Sequence, residues 1–321
     1  MRSRSKLNVS REAAQAVVAA TFGGGCDLVG FGELTEGYFN AAYLLELDDG
    51  RRCVLKVAPP DDVPVLRYER EIMAAEAEAL ALAAARTAMP VPGVYAFDRT
   101  RRHLPSPYLV MAALPGEPLH RVRAELAPET QTAIDRALGT YLAQLNAIAG
   151  PGFGYLAAPA PAGAPWSAVF LGMLRDVLAD GETAAVPLPV APAELMARAA
   201  LWAADLDQVR EPRLVHWDLW DGNVFVERGT GRVTGIIDFE RALWGDPLLE
   251  VQFRAFAPGD AFSEGYGARP LDAPGAYRRR VLYNLYLYLI MIIECTYRHY
   301  ETDDQERWAR ERLGEELARL A

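Results

Sequence analysis

Residues 214–240 read LVHWDLWDGNVFVERGTGRVTGIIDFE, and this stretch carries most of the information about the fold. It opens with an apolar pair that predicts the end of a β-strand. His216 and Asp218 follow at once, with one residue between them, and Asn223 stands at the fifth position after the aspartate. The predicted strand end is therefore followed, within eight positions, by a histidine, a carboxylate and an amide.

The second half of the stretch predicts a β-hairpin. Apolar residues at 224–226 and 233–237 flank the turn 228–231, Arg-Gly-Thr-Gly, whose two glycines favour a tight reversal. The returning strand ends at Asp238. Because a hairpin sends the chain back to its starting point, we expect Asp238 to lie at the same end of a small sheet as Asp218.

These residue types match the needs of phosphoryl transfer. A positioned carboxylate, Asp218, can accept the proton of an attacking hydroxyl. Amide and carboxylate oxygens, here from Asn223 and Asp238, are ligands that Mg²⁺ prefers. Each of the three is also a common turn former, so a loop-capping role stays open for any one of them. Their combination at this spacing favours the chemical role.

The chain resembles the aminoglycoside phosphotransferase family. The motifs that carry the resemblance are HWDLWDGN at 216–223, IIDFE at 236–240 and GDP at 245–247. The resemblance implies an α+β, bilobal, protein-kinase-like fold. Its small antiparallel-sheet N-terminal lobe, which binds the nucleotide, is expected at residues 1–114. Its mainly helical C-terminal lobe, which holds the catalytic and acceptor-binding residues, is expected at 115–321.

The resemblance also assigns roles to single residues. It implies that Asp218 is the catalytic base, that Asn223 and Asp238 hold Mg²⁺, and that His216 is structural and holds the loop. Trp217 departs from the family pattern, in which glycine is frequent at this position. This departure affects the expected packing of the loop and leaves the charged positions unchanged.

The amino-terminal part of the sequence predicts a strand pair with an unusual lysine. Apolar segments at 42–47 and 52–57 are joined by Asp-Asp-Gly, which is a hairpin signal. Lys56 interrupts the second of these strands. Burying an ammonium group is costly unless it is paired, so we expect an acidic partner for Lys56.

A helix is predicted at 67–87, a stretch rich in Ala, Glu and Leu without Gly or Pro. Its acidic residues offer partners for Lys56, and these are Glu69, Glu71, Glu76 and Glu78. Some of them are expected to form a solvated face instead. The resemblance selects Glu76, and a Lys56–Glu76 pair would fix the lysine against the α- and β-phosphates of the nucleotide.

The remaining nucleotide contacts are implied by the resemblance. The loop 34–40 contains Gly37, but it lacks the common glycine-rich phosphate motifs and is weak evidence by itself. Two further strands are predicted at 90–98 and 107–116, around the hinge between the lobes. In the second, Met111 would line the adenine pocket, and the Ala112 carbonyl and Leu114 amide would bind the base. The expected cofactors are ATP, or GTP, and Mg²⁺.

Composition sets further bounds. A chain of 321 residues is long enough for two lobes. Three cysteines without a C-x-x-C motif argue against disulfides, and four dispersed histidines argue against a zinc enzyme. The net charge of −10 makes nucleic acid an unexpected partner. No protein partner is implied.

Membrane and targeting segments are not expected. The basic start of the chain has no apolar segment after it, so no signal peptide is predicted. The most apolar stretch, 281–295, is shorter than the ~20 residues of a membrane span and predicts a buried helix. We therefore expect a cytoplasmic protein. Further helices are predicted at 13–22, 128–149, 168–179, 193–205, 277–300 and 304–320.

The sequence favours a kinase of small molecules, with an antibiotic such as an aminoglycoside as the first acceptor class. An acidic cleft would attract such a cation, although acidity also serves solubility alone. The acids expected near the acceptor are Glu240, Asp260, Glu264 and Glu294. Alternatives are a metabolite kinase for a sugar, amino alcohol or glycated amine, and a nucleotide-binding pseudokinase. A metal-dependent phosphohydrolase is a third alternative, but the sequence lacks the His and Asp clusters that a two-metal site needs.

Overall fold

The structure, a computed structural model, describes residues 6–35, 39–252, 259–267, 270–300 and 302–320. It has the predicted α+β architecture, with an antiparallel sheet in the amino-terminal part and mostly helices afterwards. The chain forms two compact units. The first comprises Met1–Val65, Pro92–Leu114 and Tyr297–Thr302, and the second comprises Leu66–Val91, Pro115–Thr296 and Asp303–Ala321. The predicted lobe boundary at 114/115 stays a prediction.

The first unit is built around a sheet. Among the described residues this sheet has five antiparallel strands in the order β1-β2-β3-β5-β4. The elements are helix α1 (Arg11–Phe22) and strands β1 (Leu28–Leu34), β2 (Ala41–Leu47), β3 (Arg52–Val57), β4 (Val94–Asp98) and β5 (Tyr108–Ala112). The β2–β3 hairpin predicted from the sequence is confirmed. Gly37 lies outside the described residues.

Alternation of side chains explains this sheet. Every second residue of β2 is buried, among them Tyr43 and Leu45. Val17 and Val18 of α1 belong to the same core cluster. The strand predicted at 90–98 begins only at Val94, because its first part contains two prolines, which have no N–H to donate to a sheet.

Helices dominate the rest of the chain. They are α2 (Ile72–Arg86), α3 (Leu119–Val122), α4 (Pro128–Asn146), α5 (Trp166–Thr183), α6 (Pro192–Ala200), α7 (Ala203–Leu206), α8 (Ala261–Tyr266), α9 (Ala276–Arg298) and α10 (Asp304–Arg319). The helix predicted at 193–205 is divided into α6 and α7, with Leu201 and Trp202 between them. The prediction of one continuous helix there was wrong.

The second unit also holds six short strands among its described residues: β6 (Glu117–Pro118), β7 (Gly154–Tyr155), β8 (Arg213–Val215), β9 (Val224–Val226), β10 (Val233–Ile236) and β11 (Leu243–Gly245). They form two antiparallel sheets, in the orders β10-β9-β6 and β7-β11-β8. The predicted catalytic hairpin is β9–β10, in which Ile236 pairs with Val224. β8 ends directly before His216, so the two sheets flank the motif.

The apolar segment 281–295 is part of α9, as predicted. Tyr283 and Tyr286 of this helix are fully buried, and Phe170 packs against both rings. Trp166 Nε1 donates to the Tyr283 hydroxyl at 2.7 Å, and this hydroxyl donates to Asp246 Oδ2 at 2.9 Å. Within the described ranges, the helices are too short or too polar for a membrane span.

Candidate active site

The turn after β8 has a strained backbone, which hydrogen bonds to a buried glutamate hold in place. Trp217 has φ +56°, a left-handed conformation that disfavours residues with a Cβ. The fully buried Glu250 accepts hydrogen bonds from the backbone N–H groups of His216, at 2.7 Å, and Trp217, at 3.1 Å. The indole of Trp217 stacks on Tyr286 with centroids 5.3 Å apart. This geometry explains why glycine suits the position and how tryptophan is accommodated.

His216 links this turn to the end of β10. Its Nδ1 accepts the Asp218 N–H at 3.2 Å, so the ring proton lies on Nε2, which donates to the Ile237 carbonyl at 3.1 Å. The ring is fully buried, with its centroid 4.3 Å from that of Phe239. One neutral imidazole thus ties the backbone of Asp218 to the residue before Asp238.

Asn223 supplies a second link between the same two segments. Its side-chain Nδ2 donates to the backbone carbonyl of Asp218 at 2.8 Å and to Asp218 Oδ2 at 3.0 Å. The backbone carbonyl of Asn223 accepts the Ile237 N–H at 3.0 Å. The amide nitrogen is therefore used inside the protein, and the side-chain oxygen is the atom that suits a cation. Asp238 itself has φ +69°, so left-handed backbone recurs at the second acid.

The environment of Asp218 favours proton uptake near neutrality. Burial raises the pKa of its carboxyl to about 7. The Arg241 guanidinium and the Asn223 hydrogen bond act in the opposite direction, and the Asp238 carboxylate adds to the rise in pKa. A carboxyl group with a pKa near the working pH is suited to general base catalysis.

Three acidic side chains lie close together around Asp238. One carboxylate oxygen from each of Glu76, Asp238 and Glu240 lies within 4.8 Å of the others. Glu76 comes from α2 and is buried, whereas Asp238 and Glu240 are half-buried. Hard oxygen donors of this kind fit Mg²⁺, so the residues present are compatible with the predicted metal.

The four glutamates of the segment 67–87 differ in their exposure to solvent. Glu71 and Glu78 are exposed and form the solvated face. Glu69 is buried and accepts the Leu66 N–H at 2.9 Å. Glu76 is the buried member that reaches the acid cluster.

Lys56, Met111 and Ala112, three of the predicted nucleotide contacts, lie on the sheet of the first unit. Lys56 is half-buried on β3, opposite Ala42 and Leu109. Met111 is buried on β5, and Ala112 ends that strand with its N–H bonded to the Gly93 carbonyl at 2.8 Å. Leu114 follows two residues later. Their roles in nucleotide binding stay predictions.

The acids expected near the acceptor have different surroundings. Asp260 caps α8, accepting the Ser263 N–H at 2.7 Å. Glu264 is exposed and pairs with Arg136 at 2.6 Å. Glu294 is buried, where it pairs with Arg241 at 3.2 Å. Glu240 is the one of the four that joins the three-acid cluster. Most of these carboxylates are therefore engaged within the protein.

Sequence reasoning missed Glu250. The signal was present, because Glu250 interrupts the apolar run Leu248-Leu249-Glu250-Val251 as Lys56 interrupts its strand. It also gave no role to Trp220, which lies inside the motif and is exposed. The grouping of Glu76 with Asp238 could not be read from the sequence, since it depends on contacts between distant segments.

Comparison with solved structures shows the same fold. A thermostable mutant of aminoglycoside phosphotransferase APH(4)-Ia, in ternary complex with AMP-PNP and hygromycin B, superposes with a TM-score of 0.64 at 19% identity, covering 95% of this chain and 98% of that one. The streptomycin–ATP complex of APH(2")-IIa gives 0.60 at 17% identity, with 98% and 96% covered. A putative fructosamine-3-kinase from Thermobifida fusca YX-ER1 gives 0.63 at 22% identity, with 97% and 100% covered.

The family itself is shown by the sequence. The family model described as the phosphotransferase enzyme family matches residues 31–282, which include β2, β3 and the whole hairpin with both acids. That match spans well over half of the chain. The chain therefore belongs to the phosphotransferase enzyme family, and its predicted class, a kinase of small molecules, follows from that membership.

Proposed function

We propose that this enzyme transfers the γ-phosphate of ATP, or of GTP, to a hydroxyl group of a small molecule in the cytoplasm. The observation that carries the proposal is the double link between the two acids. His216 and Asn223 each bond to Asp218 on one side and to Ile237, the neighbour of Asp238, on the other. Such a fixed pair suits a reaction that depends on positioning.

Asp218 is the proposed base. It accepts the proton of the acceptor hydroxyl as the oxygen attacks phosphorus, and the pKa of about 7 that burial gives it favours this step near neutral pH. Asn223 holds the Asp218 carboxylate through its Nδ2, which orients the base toward the hydroxyl.

Asn223 Oδ1 and the Asp238 carboxylate are the proposed ligands for Mg²⁺. When bound, the metal neutralises charge on the phosphates. Glu76 and Glu240 each have a carboxylate oxygen within 4.8 Å of one on Asp238, so they would help to hold the metal. Lys56, Met111, Ala112, Leu114 and Gly37 remain the proposed nucleotide contacts. A pseudokinase is disfavoured because every proposed catalytic residue is present.

An antibiotic such as an aminoglycoside is the first acceptor class proposed. The net charge of −10 favours a cationic acceptor, and Glu264 and Asp260 are the acids proposed to attract it. A second class, a sugar or glycated amine, is favoured by a specific observation. Glu264 and Glu294 are already paired with Arg136 and Arg241, so fewer negative charges remain for a polycation.

A mass-spectrometric screen tests the proposal. The protein is incubated with MgATP and a mixed panel of aminoglycosides, sugars, amino alcohols and glycated amines. We expect at least one acceptor to gain the mass of one phosphoryl group, with matching release of ADP. Hydrolysis of ATP without a phosphorylated acceptor would instead support a phosphohydrolase.

A further inference from the structure

A row of four aromatic side chains ends at the turn before Asp218, and each side chain contacts the next. The Trp217 indole stacks on the Tyr286 ring, with centroids 5.3 Å apart and planes inclined by 6°. The hydroxyl groups of Tyr286 and Tyr155 share a hydrogen bond, and the Tyr155 ring stacks on Tyr68 with centroids 6.2 Å apart. We call these four residues, all of the second unit, the aromatic row.

The aromatic row is packed into the protein interior. Trp217, Tyr286 and Tyr68 are buried, and Tyr155 is half-buried. Phe170 of α5 lies edge-on against the Tyr286 ring, with centroids 5.5 Å apart. Three elements other than the turn thus supply the row or pack against it, namely α9, β7 and α5. Since closely packed interiors leave little free space, these contacts fix the position of the Trp217 indole.

Trp217 needs such support because of its backbone. Its φ of +56° is disfavoured for a residue with a Cβ, and release of the indole would let the backbone return to an ordinary conformation. Rotation at residue 217 would turn the chain that leads into Asp218. The carboxylate of Asp218 would then lose its hydrogen bond with Asn223 Nδ2, which is 3.0 Å long.

We propose that Tyr286 and Tyr155 are positioning residues of the reaction, which hold Trp217 in its left-handed conformation and thereby hold the Asp218 carboxylate where it accepts the proton. This inference rests on the proposed function, since it takes Asp218 as the base. Both tyrosines act through Trp217. A glycine at position 217 would adopt this backbone without strain, so it would make the support of the tyrosines unnecessary.

Another tyrosine of α9 provides the matched control. Tyr288 is half-buried, and its ring lies edge-on against Trp308 of α10, with centroids 5.6 Å apart. Tyr288→Leu therefore removes an aromatic contact from the same helix without touching the aromatic row. Loss of stability alone should affect this control and Tyr286→Leu in the same way, whereas loss of positioning should affect only Tyr286→Leu.

The experiment compares six variants with the wild type. Four single variants are Tyr286→Leu, Tyr286→Phe, Tyr155→Phe and Tyr288→Leu. The other two are Trp217→Gly and the double variant that combines it with Tyr286→Leu. Thermal melting verifies that each protein is folded.

Two measurements are made on each variant. Hydrogen–deuterium exchange at residues 214–223 reports on the turn directly, because the N–H groups of His216, Trp217 and Asp218 are all hydrogen-bonded there. This measurement needs neither nucleotide nor acceptor. Steady-state kinetics with MgATP and the acceptor found in the mass-spectrometric screen gives kcat and KM, and AMP-PNP affinity reports on the nucleotide site.

We expect faster exchange at 214–223 in Tyr286→Leu, together with a kcat lowered roughly 10- to 100-fold, because small displacements of a catalytic group are costly. KM for ATP and AMP-PNP affinity should stay near their wild-type values. Tyr286→Phe and Tyr155→Phe keep the ring contacts and lose the hydroxyl bond, so they should show the same changes in weaker form. In the Trp217→Gly background, Tyr286→Leu should cause no further change in exchange or kcat.

Several outcomes would overturn the inference. These are unchanged exchange at 214–223 in Tyr286→Leu, equal changes in Tyr288→Leu, or a wild-type kcat in spite of faster exchange. An equally large effect of Tyr286→Leu in the Trp217→Gly background would also overturn it, because the tyrosine would then not act through Trp217. If Tyr286→Leu does not fold, the two phenylalanine variants decide in its place. If the wild type phosphorylates no acceptor, the proposed function fails, and the exchange data alone decide whether the tyrosines hold the turn.

Discussion

At the scale of single residues, the site depends on side chains that hold backbone rather than substrate. His216 and Asn223 connect the segments of the two proposed acids, and Glu250 accepts hydrogen bonds from the turn at His216 and Trp217, directly before Asp218. Left-handed backbone at Trp217 and at Asp238 costs about 1–3 kcal/mol each, which the surrounding contacts must offset. The strained backbone thus lies beside Asp218 and at Asp238, where the proposed chemistry depends on geometry.

Asp238→Ala should remove the effect of Mg²⁺ on ATP affinity. The wild type should bind ATP more tightly with Mg²⁺ than with EDTA, because Asp238 would hold the metal that neutralises the phosphate charge. Calorimetric titrations in both conditions measure the difference. Asp176→Ala, which removes an exposed aspartate, serves as the control and should keep it. A variant at 238 with the full metal effect would rule out Asp238 as a ligand.

Glu250 should make stability depend on pH. Burial raises the pKa of its carboxyl to about 7 from the ordinary 4.5, although the N–H groups of His216 and Trp217 act in the opposite direction. The folded protein therefore keeps a proton that the unfolded chain has released. As the pH rises from about 4.5 to about 7, the contribution of Glu250 to the free energy of unfolding falls, and above that range it is constant.

Glu250→Gln cannot titrate, so its free energy of unfolding should fall less between those pH values than that of the wild type. Its amide NH₂ also cannot accept a hydrogen bond, which leaves a backbone N–H without its acceptor at a cost of about 1–3 kcal/mol. Urea unfolding at a series of pH values measures both effects. Glu264→Gln, at an exposed glutamate, should keep the wild-type slope. Equal slopes in all three proteins would contradict the assignment.

At the scale of elements, α4 and α8 approach each other through glycines. A Cβ on Gly139 of α4 would collide with the Phe262 carbonyl, and one on Gly265 of α8 would collide with the Arg136 carbonyl. The close contact places α8, with Asp260 at its start, against α4. Packing of two backbones at this distance requires residues without side chains.

Gly139→Ala should lower the free energy of unfolding by about 1–3 kcal/mol, because the added methyl group forces α8 away from α4. Gly314→Ala is the matched control. Gly314 lies inside α10 with nothing within 4 Å of an added Cβ, so alanine should stabilise the protein by about 0.5–1 kcal/mol. Thermal melting measures both variants, and a stabilised Gly139→Ala would show that the helices can separate without cost.

Elements with a clear local signal could be predicted from the sequence. The β2–β3 pair and the β9–β10 hairpin were found from apolar segments that flank turn residues, and α4, α9 and α10 from helix start and stop signals. Strands of two or three residues, such as β6, β7 and β11, are too short to show a period. The pairing of Glu250 with the loop was missed for a different reason, since it joins residues far apart in the chain.

At the scale of the whole molecule, the net charge of −10 predicts how salt affects catalysis. Salt shortens the screening length from ~30 Å at 0.01 M to ~8 Å at 0.15 M, so KM for a polycationic acceptor should rise steeply over this range. Glu264→Gln should weaken that response. Steady-state kinetics with the best acceptor measures it, and a flat KM would favour a sugar or other weakly charged acceptor while leaving the kinase assignment unchanged.

The central claim is that Asp218 removes the acceptor proton during phosphate transfer. Comparing acceptor-dependent ADP release and AMP-PNP affinity between the wild type and Asp218→Asn tests it most directly. The account predicts a kcat lowered by roughly 10²- to 10⁴-fold with nearly unchanged AMP-PNP affinity, because asparagine keeps the shape of the side chain and cannot accept the proton. A variant that phosphorylates its acceptor at close to the wild-type rate would contradict the account.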